Sequence, residues 1–107
     1  MMYYDFEVGN KAYKLRLNTR NVVALEKVLG TNPIGIFGAG NRIPTVTEMV
    51  NILHQSLQSF EHGITLNDAY DIFDAYLEEH SATDFIPVIV EVYKVSGIIK
   101  GDNAEKN

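Results

Sequence analysis

The stretch from Tyr13 to Pro33, Y-K-L-R-L-N-T-R-N-V-V-A-L-E-K-V-L-G-T-N-P, decides the fold, because it writes a strand, a helix cap, an amphipathic helix and a helix stop in succession. Tyr13, Leu15 and Leu17 alternate with Lys14 and Arg16, the period of two that turns one face of a strand into a core. Asn18 or Thr19 can cap the helix that follows, whose apolar positions Val22, Leu25, Val28 and Leu29 recur at helical spacing. Gly30 supplies the left-handed residue that ends it. Thr31-Asn32-Pro33 then opens a second, very short helical turn, with Pro33 at the first position, where no amide proton is missed.

Upstream, Tyr4, Phe6 and Val8 alternate with Asp5 and Glu7, and Gly9-Asn10 joins the two alternating runs, so residues 4 to 17 read as a β-hairpin with one buried face. Its polar face sets Asp5 and Glu7 on one strand against Lys14 and Arg16 on the other, where cross-strand pairs of opposite charge can form.

Downstream, Ile34 to Asn41 mixes three glycines with Ile34, Ile36 and Phe37, and reads as a helical turn running into a mobile loop. Three further helices are expected. Thr45 with Glu48 makes a capping box before Met49, Leu53, Leu57 and Phe60, with a stop near Gly63. Thr65 with Asp68 opens a helix whose inner face is Ala69, Ile72, Phe73, Tyr76 and Leu77. Thr83 caps the last, with Pro87 in its first turn, where a helix tolerates proline. The valine and isoleucine content of Phe85 to Ser96 leaves a strand open on periodicity alone; the cap and the length favour a helix. On a helical wheel only Pro87, Glu91 and Lys94 interrupt its apolar circumference, so it is either the central core helix or a partner interface.

The expected fold is therefore α+β, an N-terminal β-hairpin packed on four longer helices plus one short helical turn. Residues 1–99 form a single domain, and residues 100–107 a polar, disordered tail. A chain of 107 residues, 46% hydrophobic and 21% charged, has the composition of one ordinary globular core. No apolar run reaches about 18 residues, so no membrane span is expected, and Met1-Met2-Tyr3-Tyr4-Asp5 lacks the basic and apolar regions of a signal peptide. The absence of cysteine excludes disulfide and thiolate chemistry and is compatible with a reducing cytoplasm.

The net charge of −5 is unevenly spread. Residues 1–42 hold six cations against three carboxylates, and residues 43–107 hold three lysines against eleven carboxylates. Such a chain is either two solvated faces of unequal charge or one suited to head-to-tail association of identical subunits, and it disfavours nucleic-acid binding. The helix at residues 20–29 carries only Arg20 and Lys27, offset by Glu26, too few cations to follow a phosphate backbone.

Motifs for chemistry are weak. Gly35, Gly38 and Gly40 lack the Lys-Ser or Lys-Thr and the preceding strand of a phosphate loop. Asp71, Asp74 and Glu78 share a helical face without a calcium-loop pattern, and read as a solvated acidic face. His54, His62 and His80 have no zinc-ligand spacing, and no serine sits in a nucleophile elbow. No catalytic, cofactor-binding or metal-binding residue is assigned. The apolar residues least easily placed in a core are Ile34, Ile36 and Phe37 in the glycine-rich segment, with Val90, Ile98 and Ile99 near the C-terminal end; these six are the expected partner-binding residues.

Tyr13-Lys14-Leu15-Arg16-Leu17, then Thr19, Leu25-Glu26-Lys27, Leu29-Gly30 and Asn32-Pro33 resemble the opening of the tail assembly chaperones of long-tailed bacteriophages and prophages. In that family a hairpin of the form x-Y-x-L-R-L-T leads into a helix containing L-E-x-x-L-G and then N-P-L. Here Asn18 separates the Leu-Arg-Leu from Thr19, and Ile34 stands where leucine is common. The likeness continues through Pro44-Thr45 and the run Asp71-Ile72-Phe73-Asp74-Ala75-Tyr76-Leu77-Glu78-Glu79. The resemblance implies a non-enzymatic assembly factor without cofactor, working in the cytoplasm of the bacterial host and absent from the mature virion. It implies binding to the tape measure protein, recruitment of tail tube protein, and self-association. A structural head-tail or minor tail protein retained in the virion is the alternative.

Overall fold

The structure is a computed structural model, and it describes residues 2–37 and 42–100. Strands β1 (Tyr4–Val8) and β2 (Lys11–Leu15) form an antiparallel hairpin, followed by helices α1 (Thr19–Leu29), α2 (Val46–Leu57), α3 (Leu66–Tyr76) and α4 (Phe85–Val95). One 3-10 turn, Pro33–Phe37, follows α1, and a second, Ala82–Asp84, leads into α4. The α+β hairpin-plus-helices architecture is the expected one, with the turn before α4 as an addition. The loop expected over residues 38–41 and the tail expected over residues 101–107 lie outside the described residues.

The hairpin closes over Gly9-Asn10. Gly9 has φ +59° and Asn10 does not enter positive φ, the sign pattern of a type II′ turn, whose twist suits a two-residue hairpin. The register sets Asp5 opposite Lys14, as the charge pattern predicts, but Glu7 opposite Ala12. Arg16 does not join this face. Its Nη1 donates to the carbonyls of Val95 (2.9 Å) and Met2 (3.0 Å), because the end of β2 lies against the C-terminus of α4, where exposed carbonyls attract a cation. Leu17 N donates to Ser96 Oγ at 2.8 Å and Arg16 N to the Ser56 carbonyl at 3.0 Å, so this one connection is fastened to the ends of both α4 and α2.

The helix starts follow local chemistry. Asn18 caps α1 in a reciprocal box with Asn21; Thr45 caps α2 with Glu48, and Thr65 caps α3 with Asp68. Gly30, at φ 69°, ends α1, its N–H returning to the Glu26 carbonyl. The last start differs from expectation. Ser81, not Thr83, accepts the capping bond, from Asp84 N, and the 3-10 turn it opens runs straight into α4. Phe85–Val95 is a helix and not a strand, and its buried Phe85, Val88, Ile89, Val92 and Tyr93 make it a core helix.

α2 stops at Leu57 rather than near Gly63. The chain tightens there into turns, and the Ile64 carbonyl meets His54 Nε2 (3.0 Å) and Gln58 Nε2 (3.1 Å). Phe60 therefore leaves the helix and packs edge-on against Tyr3, with ring centroids 5.7 Å apart.

α2 is the central helix: α1 and α3 both pack against it, and it touches β2 and α4 as well. Phe6, Phe73, Tyr76 and Phe85 join β1, α3 and α4 in one aromatic cluster, with Phe73 and Phe85 meeting at 88° and 5.4 Å. Edge-to-face contacts of this kind add roughly 0.5–1.5 kcal/mol each beyond the area they bury. Two expected core positions lie outside the core. Val28 is exposed on the flank of α1, about 60° round the helix from Leu25, and Leu77 is exposed because α3 has ended before it.

Candidate functional site

α1 runs antiparallel to α2. Asn21 Nδ2, in the first turn of α1, donates to Gln55 Oε1 near the end of α2, and α1 then runs back along α2 towards its N-terminus. The C-terminus of α1, the 3-10 turn and the start of α2 therefore converge at one end of the molecule. Arg42 is the joint there. Its Nη1 donates to the Ile36 carbonyl and its Nη2 to Glu48 Oε2, both at 2.7 Å.

Glu48 divides its carboxylate between two tasks: Oε2 takes the Arg42 guanidinium, and Oε1 accepts from the N–H of Thr45 at 2.8 Å. Burial disfavours its charge, but the Arg42 hydrogen bond, the Thr45 amide and the Arg42 charge outweigh that cost and hold its pKa below the usual glutamate value. Beneath, Tyr93 Oη donates to the Pro33 carbonyl at 3.0 Å, and burial raises its pKa. The 3-10 turn is thus held from the side by Arg42 and from below by Tyr93.

The segments that meet at this joint carry four exposed apolar side chains: Val28 (58% exposed), Ile34 (43%), Ile43 (60%) and Val46 (53%). They come from α1, the 3-10 turn, the segment entering α2 and the first residue of α2. Along the chain, Ile34 lies two residues from Ile36, Ile43 is next to Arg42, and Val46 is two residues from Glu48.

The six partner-binding residues expected from sequence do not share this surface. Ile34 belongs to it. Ile36 is fully buried in the core, because a 3-10 turn separates the two isoleucines by less than one revolution and sends one out and the other in. Phe37 closes the turn, and its side chain lies outside the described residues. Val90 is half-buried on α4. Ile98 and Ile99 are half-buried and pack back on the core. Gly97, at φ 78°, turns the chain so that Ile98 N returns to the Tyr93 carbonyl and Gly97 N to that of Lys94, the two bonds of a Schellman motif. Sequence reasoning missed Val28, Ile43 and Val46. For Val28 the reason is that an apolar residue at helical spacing reads as core; Val46 and Ile43 had a signal, apolar residues near the Thr45 cap of a helix.

Elsewhere, an open cleft of about 430 Å³ is lined by Lys11, Tyr13, Glu61, His62, Asp68 and Asp71, among others. Two of its polar groups are engaged. Lys11 Nζ lies 4.8 Å from the centre of the Tyr13 ring, and Asp68 caps α3, where the Thr65 backbone and side-chain hydrogen bonds lower its pKa. His80 stacks on Tyr76 at 4.5 Å, and His54 is bonded to the Ile64 carbonyl. Among the described residues no group of three or more His, Asp or Glu side chains is placed to hold a metal ion, and no helix is long and apolar enough to cross a membrane.

The family model described as "Family of unknown function (DUF6096)" matches residues 4–107. No curated protein and no solved structure matches the chain.

Proposed function

We propose, from the premise that this chain belongs to the family of unknown function DUF6096, that it works as a tail assembly chaperone of a long-tailed bacteriophage or prophage. In this reading it acts without catalysis or cofactor in the cytoplasm of the bacterial host. It holds hydrophobic helices of the tape measure protein in solution and helps bring tail tube subunits to them, then stays out of the finished virion. The resemblance of Tyr13 to Pro33 to that group supports the reading at the level of sequence.

The observation that carries it in three dimensions is the apolar set Val28, Ile34, Ile43 and Val46 at the end fastened by Arg42. A chaperone of a long helical client needs several shallow apolar contacts that form and release, each worth little alone. Burying a large aliphatic side chain contributes about 1.5–3 kcal/mol at most, so four partly exposed ones give a reversible grip that repetition along the client can strengthen.

Co-expression with a tape measure segment tests this directly. The wild-type chain should keep the segment soluble and co-purify with it, whereas Ile34→Asp combined with Ile43→Asp should lose it while folding normally. Recovery of the double variant with the segment at wild-type yield would reject this surface. Mass spectrometry of purified virions tests the role: stoichiometric amounts of this chain in the particle would favour a structural tail protein instead.

A further inference from the structure

We propose that the outward face of α1 docks on the outward face of α3 of a second copy of this chain, joining copies head to tail. This rests on the charge and spacing of two helix faces and not on the chaperone reading.

α1 buries Asn21 and Leu25, and the pole opposite Leu25 carries Arg20, Val23 and Lys27, all exposed. α3 buries Ala69, Phe73 and Tyr76. Its opposite pole carries Asp71 and Asp74, with Glu78 in the tight turn that continues the helix, and Tyr70 and Leu77 are exposed along one flank. Among the described residues none of Arg20, Lys27, Asp71, Asp74 or Glu78 takes part in an ion pair.

The two faces match in chemistry and in spacing. Arg20 and Lys27 are seven residues apart, as are Asp71 and Glu78, a separation of about 10 Å along a helix axis. Laid antiparallel, the helices pair Arg20 with Glu78 and Lys27 with Asp71, and Val23 falls between the two pairs opposite the exposed Ala75. Asp71, Asp74 and Glu78 repel one another on their own surface, a cost that an incoming basic face relieves. Glu26 lies off the basic pole and does not spoil the match.

The faces cannot meet within one molecule. α1 and α3 each pack on α2 rather than on one another, so each chain carries the two surfaces on separate flanks of its central helix. Arg20 and Lys27 on α1 present the basic side, and Asp71, Asp74 and Glu78 on α3 and the turn after it present the other. A surface and its complement at different places on the same chain make a heterologous contact, which repeats into open strings or closed rings. Two short helices bury less than the roughly 800 Å² per partner of a stable interface. The contact is therefore weak, concentration-dependent and sensitive to salt.

Sedimentation velocity across a concentration series tests it, with ionic strength raised from about 0.01 M to about 1 M. The wild-type chain should show a weight-average sedimentation coefficient that climbs with concentration at low salt and falls to the monomer value at high salt. The double variants Arg20→Glu/Lys27→Glu and Asp71→Lys/Glu78→Lys, both confined to exposed positions, should each self-associate at least about tenfold more weakly while melting as the wild type does. Mixed in equal amounts they should associate again, because each then carries the complement of the other. A wild-type chain that stays monomeric at low salt and high concentration would overturn the proposal, as would either double variant assembling as readily as the wild type. If a reversal variant misfolds, Arg20→Gln/Lys27→Gln supplies the same reading, with weakened association expected and unchanged association counting against the interface.

Discussion

The hydroxyl of Tyr93, on the last helix, donates to the carbonyl of Pro33, sixty residues earlier, across a buried contact of 3.0 Å. The bond fixes the 3-10 turn on the core, and with it the direction in which Ile34 leaves the surface.

Tyr93→Phe keeps the ring and removes the donor. It should cost about 1–2 kcal/mol in chemical denaturation, and hydrogen exchange at Gly35 and Ile36 should quicken more than exchange in α2. A variant with wild-type stability and unchanged exchange would show that the turn is held by Arg42 alone.

Arg16 sits inside the sequence motif that resembles a family of assembly factors, and its side chain is spent on structure. Arg16→Ala removes donors to the Val95 and Met2 carbonyls and should destabilise the fold by about 1.5–3 kcal/mol, the range for hydrogen bonds to charged groups. Ser96→Ala, which removes the acceptor for Leu17 N, should be coupled to it in a double-mutant cycle. Additive losses would mean that the two fastenings act independently.

Acid should loosen the joint at the start of α2. The folded-state pKa of Glu48 lies below the ordinary glutamate value, so its contribution is fully present above that value and disappears as pH falls through the lower folded one. Unfolding free energies measured from neutral pH to pH 3 should fall more steeply for the wild type than for Glu48→Gln, which has no proton to gain there. Parallel curves would place the acid sensitivity elsewhere.

Ile36 and Ile43 flank the same joint and should respond in opposite ways. Ile36→Ala opens a cavity in the core and should cost about 2–4 kcal/mol. Ile43→Asp alters an exposed position and should change stability by no more than about 0.5 kcal/mol. Thermal melts of the two variants decide whether the exposed set is surface or core.

Gly30→Ala isolates backbone conformation from packing. A Cβ there would meet nothing within 4 Å, yet φ is +69°, so the expected loss of about 1 kcal/mol is conformational. A loss several times larger would mean that the end of α1 is packed more tightly than its geometry implies.

What the sequence reveals depends on the distance over which each feature is decided. The boxes of Thr45 with Glu48 and Thr65 with Asp68 are contained within four residues and could be read directly. The start of α4 is misread as Thr83 because the 3-10 turn before it is opened two residues earlier, by the reciprocal bond between Ser81 and Asp84. Arg16 could not be placed, since its partner carbonyl on Val95 is 79 residues away and the strand pattern offered nearer carboxylates. The candidate surface was hardest to see. Ile34 and Ile36 differ in fate within a turn too short for periodicity to register, and Ile98 is drawn inwards by the left-handed Gly97.

The fastening of Arg16 and Leu17 to Val95 and Ser96 has a kinetic consequence. It closes a loop of nearly the whole domain, and loops of that span are slow to form and carry the full entropy of closure before any contact rewards them. During synthesis the hairpin emerges before α4, so its fastening to Val95 and Ser96 cannot form until translation has passed Ser96, although its bond to the Ser56 carbonyl can. A nascent chain halted before α4 should remain open to proteases along its length, and release of the final helix should convert the domain to its protected form in a single step.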